Sequence, residues 1–203
     1  MREKQDWDKH YDEDDLPWET GMPDQALINL VTGWPNIQGK ALDIGCGTGN
    51  NAVWLAEHGF EVTALDISTS AIALAEQRRA ERGVDIRLLA ADFLTCELDT
   101  GAFDLVFDRG CFHCLPGEDA RRRYVAKVAA CLKPEGIWLS LIGNKDQPAN
   151  DKGPPRMSAT EICTAVEGNF EILRLRSALK PSPRQPRPLR FWHCLLKKRR
   201  EEG

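Results

Sequence analysis

A chain of 203 residues, 42% hydrophobic and 29% charged, with 27 Lys plus Arg against 31 Asp plus Glu, has the balance of a single globular domain spanning 1–203. It can bury roughly 70% of the surface its unfolded form exposes, so neither disulfides nor a structural metal is needed. The net charge of -4 makes a nucleic-acid partner unlikely as the main role, and no apolar run approaches the roughly 18 residues of a membrane span.

The start, from Met1 to Asp6, lacks the apolar core of a secretory signal, so a cytoplasmic protein is expected, and its seven cysteines should be reduced thiols. Residues 1–24 carry nine acidic and three basic side chains, and residues 180–203 carry eight basic and two acidic ones, both read as solvated ends. Lys40 to Ile44 reads as a buried strand, followed by a glycine-rich turn and a helix from about Asn51 that Gly59 ends. Glu61 to Leu65 is a second strand, and Ser68 caps a helix running to Arg82, closed by Gly83. A third strand spans Asp85 to Leu89, and a fourth, Phe103 to Phe107, precedes a helix from about Glu118 to Leu132. The turn Lys133-Pro134-Glu135-Gly136 leads into a fifth strand, Ile137 to Ile142. A polar loop follows over 143–157, and Ser158 caps a short helix to about Glu167. Phe170 to Leu175 and Leu189 to Leu196 close the pattern as two strands joined by the proline-rich loop Lys180 to Pro188. Five strand–helix alternations predict an α/β fold with an open, mostly parallel sheet and helices on both faces.

The stretch Ala41-Leu42-Asp43-Ile44-Gly45-Cys46-Gly47-Thr48-Gly49-Asn50 carries a strand into closely spaced glycines and then a helix, so a ligand can meet the helix's first amides. The dinucleotide fingerprint places its third glycine one position later. Asp43 lies where an amine is welcome and a diphosphate is repelled. Asp66, ending the second strand, supplies a carboxylate for two ribose hydroxyls. Asp92 offers an acceptor to an adenine amino group, and Phe93 a wall to its ring.

Over residues 40 to about 142 this order of groups resembles the class I S-adenosyl-L-methionine-dependent methyltransferases. The resemblance implies a Rossmann-like seven-stranded sheet with a last antiparallel strand, and a cofactor held by Asp43, Gly45, Cys46, Gly47, Gly49, Asp66, Ile67, Asp92, Phe93 and Asp108. A short-chain dehydrogenase would need Y-x-x-x-K, and Tyr124-Val125-Ala126-Lys127 has the wrong spacing.

Trp7-Asp8-Lys9-His10-Tyr11 and Leu16-Pro17-Trp18-Glu19-Thr20-Gly21 are similar to the N-terminal segment of the thiopurine, tellurite and halide/thiol methyltransferases, as is Asp108-Arg109-Gly110 after the fourth strand. The likeness implies that Trp7, Tyr11 and Trp18 fold over the cofactor. Residues 1–22 are then a lid on a catalytic core of 23–203; a packing arm is the alternative.

Ligands of such sheets bind beyond the strands' carboxyl ends, so acceptor choice should reside in Asp108 to Cys114, Asn144 to Met157 with Arg156, and Arg184 to Arg190. Arg109, Cys111, Asp108 and His113 are the candidate catalytic residues, the last two as general bases. Cys111-Phe112-His113-Cys114 lacks a second ligand pair for zinc, and no metal is expected. The sulfonium methyl is already activated, so positioning supplies much of the acceleration. A thiol of pKa about 8.5 is roughly a tenth thiolate at pH 7.5, whereas an aliphatic hydroxyl needs a committed base. The expected activity is methylation of a small molecule at a thiol or related soft atom. The alternatives are O- or N-methylation of a small metabolite, or an RNA-associated module using the basic tail.

Overall fold

The computed structural model describes residues 4–34, 37–147, 155–180 and 188–200. Seven strands, β1 (Lys40–Ile44), β2 (Glu61–Asp66), β3 (Ile86–Ala90), β4 (Phe103–Arg109), β5 (Leu132–Gly143), β6 (Phe170–Lys180) and β7 (Leu189–Lys198), form one sheet. Their order is β3-β2-β1-β4-β5-β7-β6. Neighbours are parallel as far as β5, and β7 runs antiparallel to both β5 and β6. The helices are α1 (Lys4–Asp12), α2 (Gln25–Gly33), α3 (Asn50–Glu57), α4 (Thr69–Arg82), α5 (Gly117–Cys131) and α6 (Ala159–Val166). The seven-stranded Rossmann-like sheet with one antiparallel strand is as expected.

The central strands are buried on both faces because their side chains alternate between two cores. Leu42, Ile44 and Val106 enter the core covered by α5 and α6, through Val125, Val128, Ile162 and Val166. Ala41, Leu105 and Phe107 enter the core covered by α2, α3 and α4, through Leu27, Leu30, Leu55 and Ile72. The chain moves outward from β1 to β2 and β3, then returns to place β4 on β1's other side. That reversal opens a crevice beyond the carboxyl ends of β1 and β4.

Local signals hold where local chemistry decides. Ser68 accepts from the Ala71 N–H at 3.0 Å, and Gly83 closes α4 in the left-handed region at φ 64°. Ser158 and Glu161 form a reciprocal capping box on α6.

Four details differ from expectation. The Lys133 to Gly136 turn lies within β5, which begins at Leu132: Leu132 pairs with Phe103 and Ile137 with Leu105, so the expected turn residues bulge out between paired positions. Lys133 Nζ is fixed there, 2.8 Å from Asp104 Oδ2. Strands β6 and β7 run further than their apolar cores, to Lys180 and Lys198, because their polar ends still pair. No helix joins β3 to β4; turns around Asp92 make that return. Helices α1 and α2 were not anticipated, although Asp24 accepts from the Ala26 N–H as an N-cap and Gly33 ends the segment.

Candidate active site

Strand β1 runs into Gly45 and Gly47, both with left-handed backbone at φ 68° and 55°. The Gly45 and Cys46 N–H groups donate to the Leu65 carbonyl at 2.8 and 3.0 Å, which lashes the turn to the end of β2. A Cβ at Gly45 would overlap Cys111 Sγ, and one at Gly47 would come within 3.0 Å of Tyr11 Oη. Close approach and positive φ together exclude larger residues at both positions. Gly49 is the N-cap of α3, whose first amides open on the turn.

Three carboxylates follow the strand ends. Asp43 is 1% exposed and neither of its oxygens receives a hydrogen bond of normal geometry, although the Ala52 amide lies close enough to stabilise the anion. Burial, then the Asp66 and Asp108 carboxylates, push its pKa up to about 8. Asp66 accepts from the Gly47 N–H at 3.0 Å and the Ser68 N–H at 2.9 Å, yet burial still raises its pKa. Ile67, half-buried, stands between Asp66 and Ser68. Asp92 accepts from the Leu94 N–H at 2.9 Å. The ring of Phe93 packs inside the core, edge-on to Tyr124 with centroids 4.8 Å apart and Lys127 Nζ 5.3 Å above it. Burial pushes the Cys46 thiol well up.

The N-terminal segment is gathered on this turn. Trp18 is the hub of an aromatic cluster, with centroids 5.6 Å from Trp7, 5.5 Å from His10 and 6.1 Å from Tyr11. His10 was missed in the sequence, although Trp7, His10 and Tyr11 lie at the spacing of one helix face. Asp8 accepts from Ser68 Oγ at 2.6 Å and from the Ser70 N–H at 3.3 Å, at the first turn of α4. Glu19 accepts from the Thr48 hydroxyl and the Asn50 amide, the residues flanking Gly49. Arg109 donates to the Trp18 carbonyl at 3.0 Å. Burial, then the Asp66 carboxylate, raise the Tyr11 phenol pKa.

On the acceptor side, each expected base already accepts hydrogen bonds from the protein. Asp108 is buried, accepting from Trp138 Nε1–H at 2.9 Å and the Phe112 N–H at 3.2 Å. Burial raises its pKa to about 6 against the pull of these donors and of the Ser140 hydroxyl, which forms no hydrogen bond of normal geometry. His113 Nδ1 accepts the Gly143 N–H at 3.0 Å, a bond that assigns the neutral ring's proton to Nε2. Burial and Arg121 pull its pKa down to about 4, so the ring is neutral at pH 7. Cys111 lies against Gly45, its thiol pushed well up by burial and Asp108.

Arg109 Nε lies 3.2 Å from Asp24 Oδ2, and Lys180 pairs with the same carboxylate. Arg156 donates to the Gln147 carbonyl at 3.1 Å. Arg184 and Arg187 lie outside the described residues. Two cavities sit away from the glycine turn: one of about 220 Å³ between α2 and the β6–β7 edge, and one of about 300 Å³ beside Lys133 and Glu135 at the strands' amino ends.

The sequence profile of the thiopurine S-methyltransferase family matches residues 2–192. The chain belongs to that family. This family member is 30% identical to the 2-heptyl-1-hydroxyquinolin-4(1H)-one methyltransferase of Mycobacteroides abscessus, over 77% of this chain and 69% of that one. It is also 30% identical to probable thiol methyltransferase 2 of Arabidopsis thaliana, over 73% of this chain and 65% of that one. Among solved structures, one from work on converting a disulfide bond into a thioacetal group during echinomycin biosynthesis is 27% identical, with a TM-score of 0.78 over 90% of this chain and 85% of that one. The fold is shared with the 1,6-didemethyltoxoflavin-N1-methyltransferase of Burkholderia thailandensis, solved with S-adenosylhomocysteine, at 23% identity and a TM-score of 0.74, covering 97% of this chain and 87% of that one. The thiopurine S-methyltransferase family member is thus an S-adenosylmethionine-dependent methyltransferase. The Asp43 carboxylate suits a cationic cofactor: a buried acid that no donor meets in normal geometry is costly until one arrives.

Proposed function

We propose that this methyltransferase acts on a small molecule at sulfur or a related soft atom, and that its residues position rather than deprotonate the acceptor. One observation carries the reading: four donors, Trp138 Nε1–H, the Ser140 hydroxyl and the Phe112 and Cys111 amides, crowd the four lone-pair sites of the buried Asp108 carboxylate, and the one free lone pair of the neutral His113 ring, on Nδ1, already accepts the Gly143 N–H. A hydroxyl acceptor would need one of them free. A thiol supplies its own thiolate at neutral pH.

S-adenosylmethionine, when bound, supplies a methyl group already activated on a sulfonium. Asp43 receives its ammonium group, which gives the buried carboxylate a cationic partner. Asp66 accepts the ribose hydroxyls through the lone pairs that its two backbone donors leave open. Asp92 accepts from the adenine amino group, and the backbone of Gly45, Cys46, Gly47 and Gly49 lies against the methionine part, with Ile67 as a wall. Trp7, Tyr11 and Trp18 form the underside of a lid, residues 1–22, which excludes water from a core of 23–203. Arg109 holds that lid by the Trp18 carbonyl. Cys111 and His113 shape the acceptor's side of the pocket, and His113 Nε2–H is a donor to it.

The test is the pH dependence of kcat/KM with an aryl and an alkyl thiol whose own pKa values differ. The midpoint should follow the thiol, and the matching phenol and alcohol should react at least about a hundredfold more slowly, the reach of general base catalysis. A midpoint fixed near the Asp108 value for every acceptor, and lost in Asp108→Asn, would establish a protein base and overturn the proposal.

A further inference from the structure

The cavity of about 220 Å³ beside α2 is lined by Arg174, Arg176 and His193 together with Leu139, Leu195 and Trp34. Alternate residues of a strand share a face, so the two arginines stand roughly 7 Å apart along β6. His193 lies directly across from Arg176 in the β6–β7 register. Among the described residues, no carboxylate makes a hydrogen bond or ion pair with Arg174 or Arg176. The charged groups whose fields reach His193 are Asp24, Arg176 and Lys180, and Asp24 is already shared between Lys180 and Arg109. Among the described residues, this protein of net charge -4 therefore lines the pocket with two guanidinium groups that no carboxylate pairs and with no acid. Both guanidinium groups are solvent-exposed, so an anion in the cavity reaches them without displacing a protein partner.

We propose that this cavity is a binding site for a small organic anion, a carboxylate or phosphate head on a flat apolar body, separate from the methyl-transfer site. Guanidinium groups offer paired N–H donors that match the oxygens of such a head. Buried Leu139 and Leu195 with half-buried Trp34 offer the apolar contact for the body. A volume below the roughly 300 Å³ at which drug-sized pockets begin restricts that body to about one ring. Strands β7 and β6 are three and four positions from β1 in the sheet. At about 4.8 Å per strand, the site is roughly 14–19 Å from the glycine turn. Burial pulls the His193 pKa down, with Arg176 and Lys180 adding to it, so an anion beside Arg176 would raise it again.

The experiment titrates phenyl phosphate, benzoate, inorganic phosphate and benzyl alcohol into protein saturated with S-adenosylhomocysteine, by calorimetry and by histidine proton NMR. Phenyl phosphate or benzoate should bind, and which of them binds more tightly identifies the head group. Affinity for the bound acid should fall at least tenfold in Arg174→Gln and in Arg176→Gln, inorganic phosphate should bind at least tenfold more weakly than phenyl phosphate, and benzyl alcohol should not bind. The resonance that His193→Gln removes should titrate at higher pH with the acid present. Methylation of a neutral thiol should stay within twofold in both arginine variants. No binding of either acid, equal affinity in either arginine variant, a His193 resonance that does not move, or benzyl alcohol binding as well as benzoate would overturn the proposal.

Discussion

Replacing Asp24 by alanine removes the counter-charge of two cations and the cap of a helix in one step. The residue is 5% exposed; its carboxylate meets Arg109 Nε at 3.2 Å, pairs with Lys180 and accepts the Ala26 N–H at 2.9 Å. Stripping one partner from a buried pair costs about 3–5 kcal/mol. Arg109 and Lys180 keep 20% and 24% side-chain exposure, so water recovers part of that. A lost N-cap adds about 1 kcal/mol. The expected destabilisation is about 3 kcal/mol, a fall in Tm of about 6–12 °C for a chain of this size. Urea unfolding followed by tryptophan fluorescence measures it, and Asp24→Asn, which keeps a capping oxygen, should recover about 1 kcal/mol. Burial alone would raise the Asp24 pKa, but Lys180, the Ala26 N–H and Arg109 together lower it. A carboxyl depressed on folding stabilises above its unfolded pKa of about 4, and that stability is lost as pH falls through the folded value. The gap between parent and Asp24→Asn should therefore close in acid. A variant Asp24→Ala within about 0.5 kcal/mol of the parent, the range of an ordinary surface change, would refute the reasoning.

Asp43, raised to about 8, holds a proton in the folded chain that the unfolded chain releases above about pH 4, so its contribution to stability declines between those values. Asp43→Asn should outlast the parent in urea by a margin that grows from pH 5 to pH 8, while S-adenosylmethionine affinity falls about 10- to 100-fold by calorimetry; a margin independent of pH would count against the buried acid. A chain shortened to begin at Pro23 should fold and bind S-adenosylmethionine at least about tenfold more weakly, since each aromatic contact to the cation contributes roughly 0.5–2 kcal/mol. Equal affinity would remove the lid. Gly143→Ala would bring a Cβ within 2.9 Å of the Pro155 carbonyl and should cost about 1–3 kcal/mol in thermal unfolding, with no cost excluding the close packing of β5 on Pro155 and Arg156.

What was legible in the sequence was chemistry contained within a few residues. The Ser68 cap and the Gly83 stop depend on neighbours at most three or four places away, and the β1 turn is announced by its own closely spaced glycines although the Leu65 carbonyl holds it. The commitments that decide the mechanism do not: Asp108 is satisfied by Trp138 and His113 by Gly143, each pair 30 residues apart, and the Asp24–Lys180 pair spans 156. Phe93 illustrates the same limit, since nothing near it in the sequence announces its edge-on contact with Tyr124, on a distant helix. The short α2 was hidden because its apolar stretch is no longer than a strand, and Asp24 with Gly33 carried its boundaries.

Strand β7 is the last of the seven in the chain, yet it lies inside the sheet, between β5 and β6. Strand β6 leaves the ribosome first and has nothing to pair with until β7 follows, a wait of about one to four seconds for the 18 residues beyond Lys180 at ordinary synthesis rates. In that interval β5 presents an open edge, and the apolar side of β6 at Phe170, Ile172 and Leu175 lacks the strand that holds it over its core. A premature stop between Lys180 and Leu189 would make that interval permanent, leaving β6 unattached and β5 as a template for another chain. The final strand is thus the step at which a nascent chain either closes its own sheet or becomes a client of chaperones and proteases.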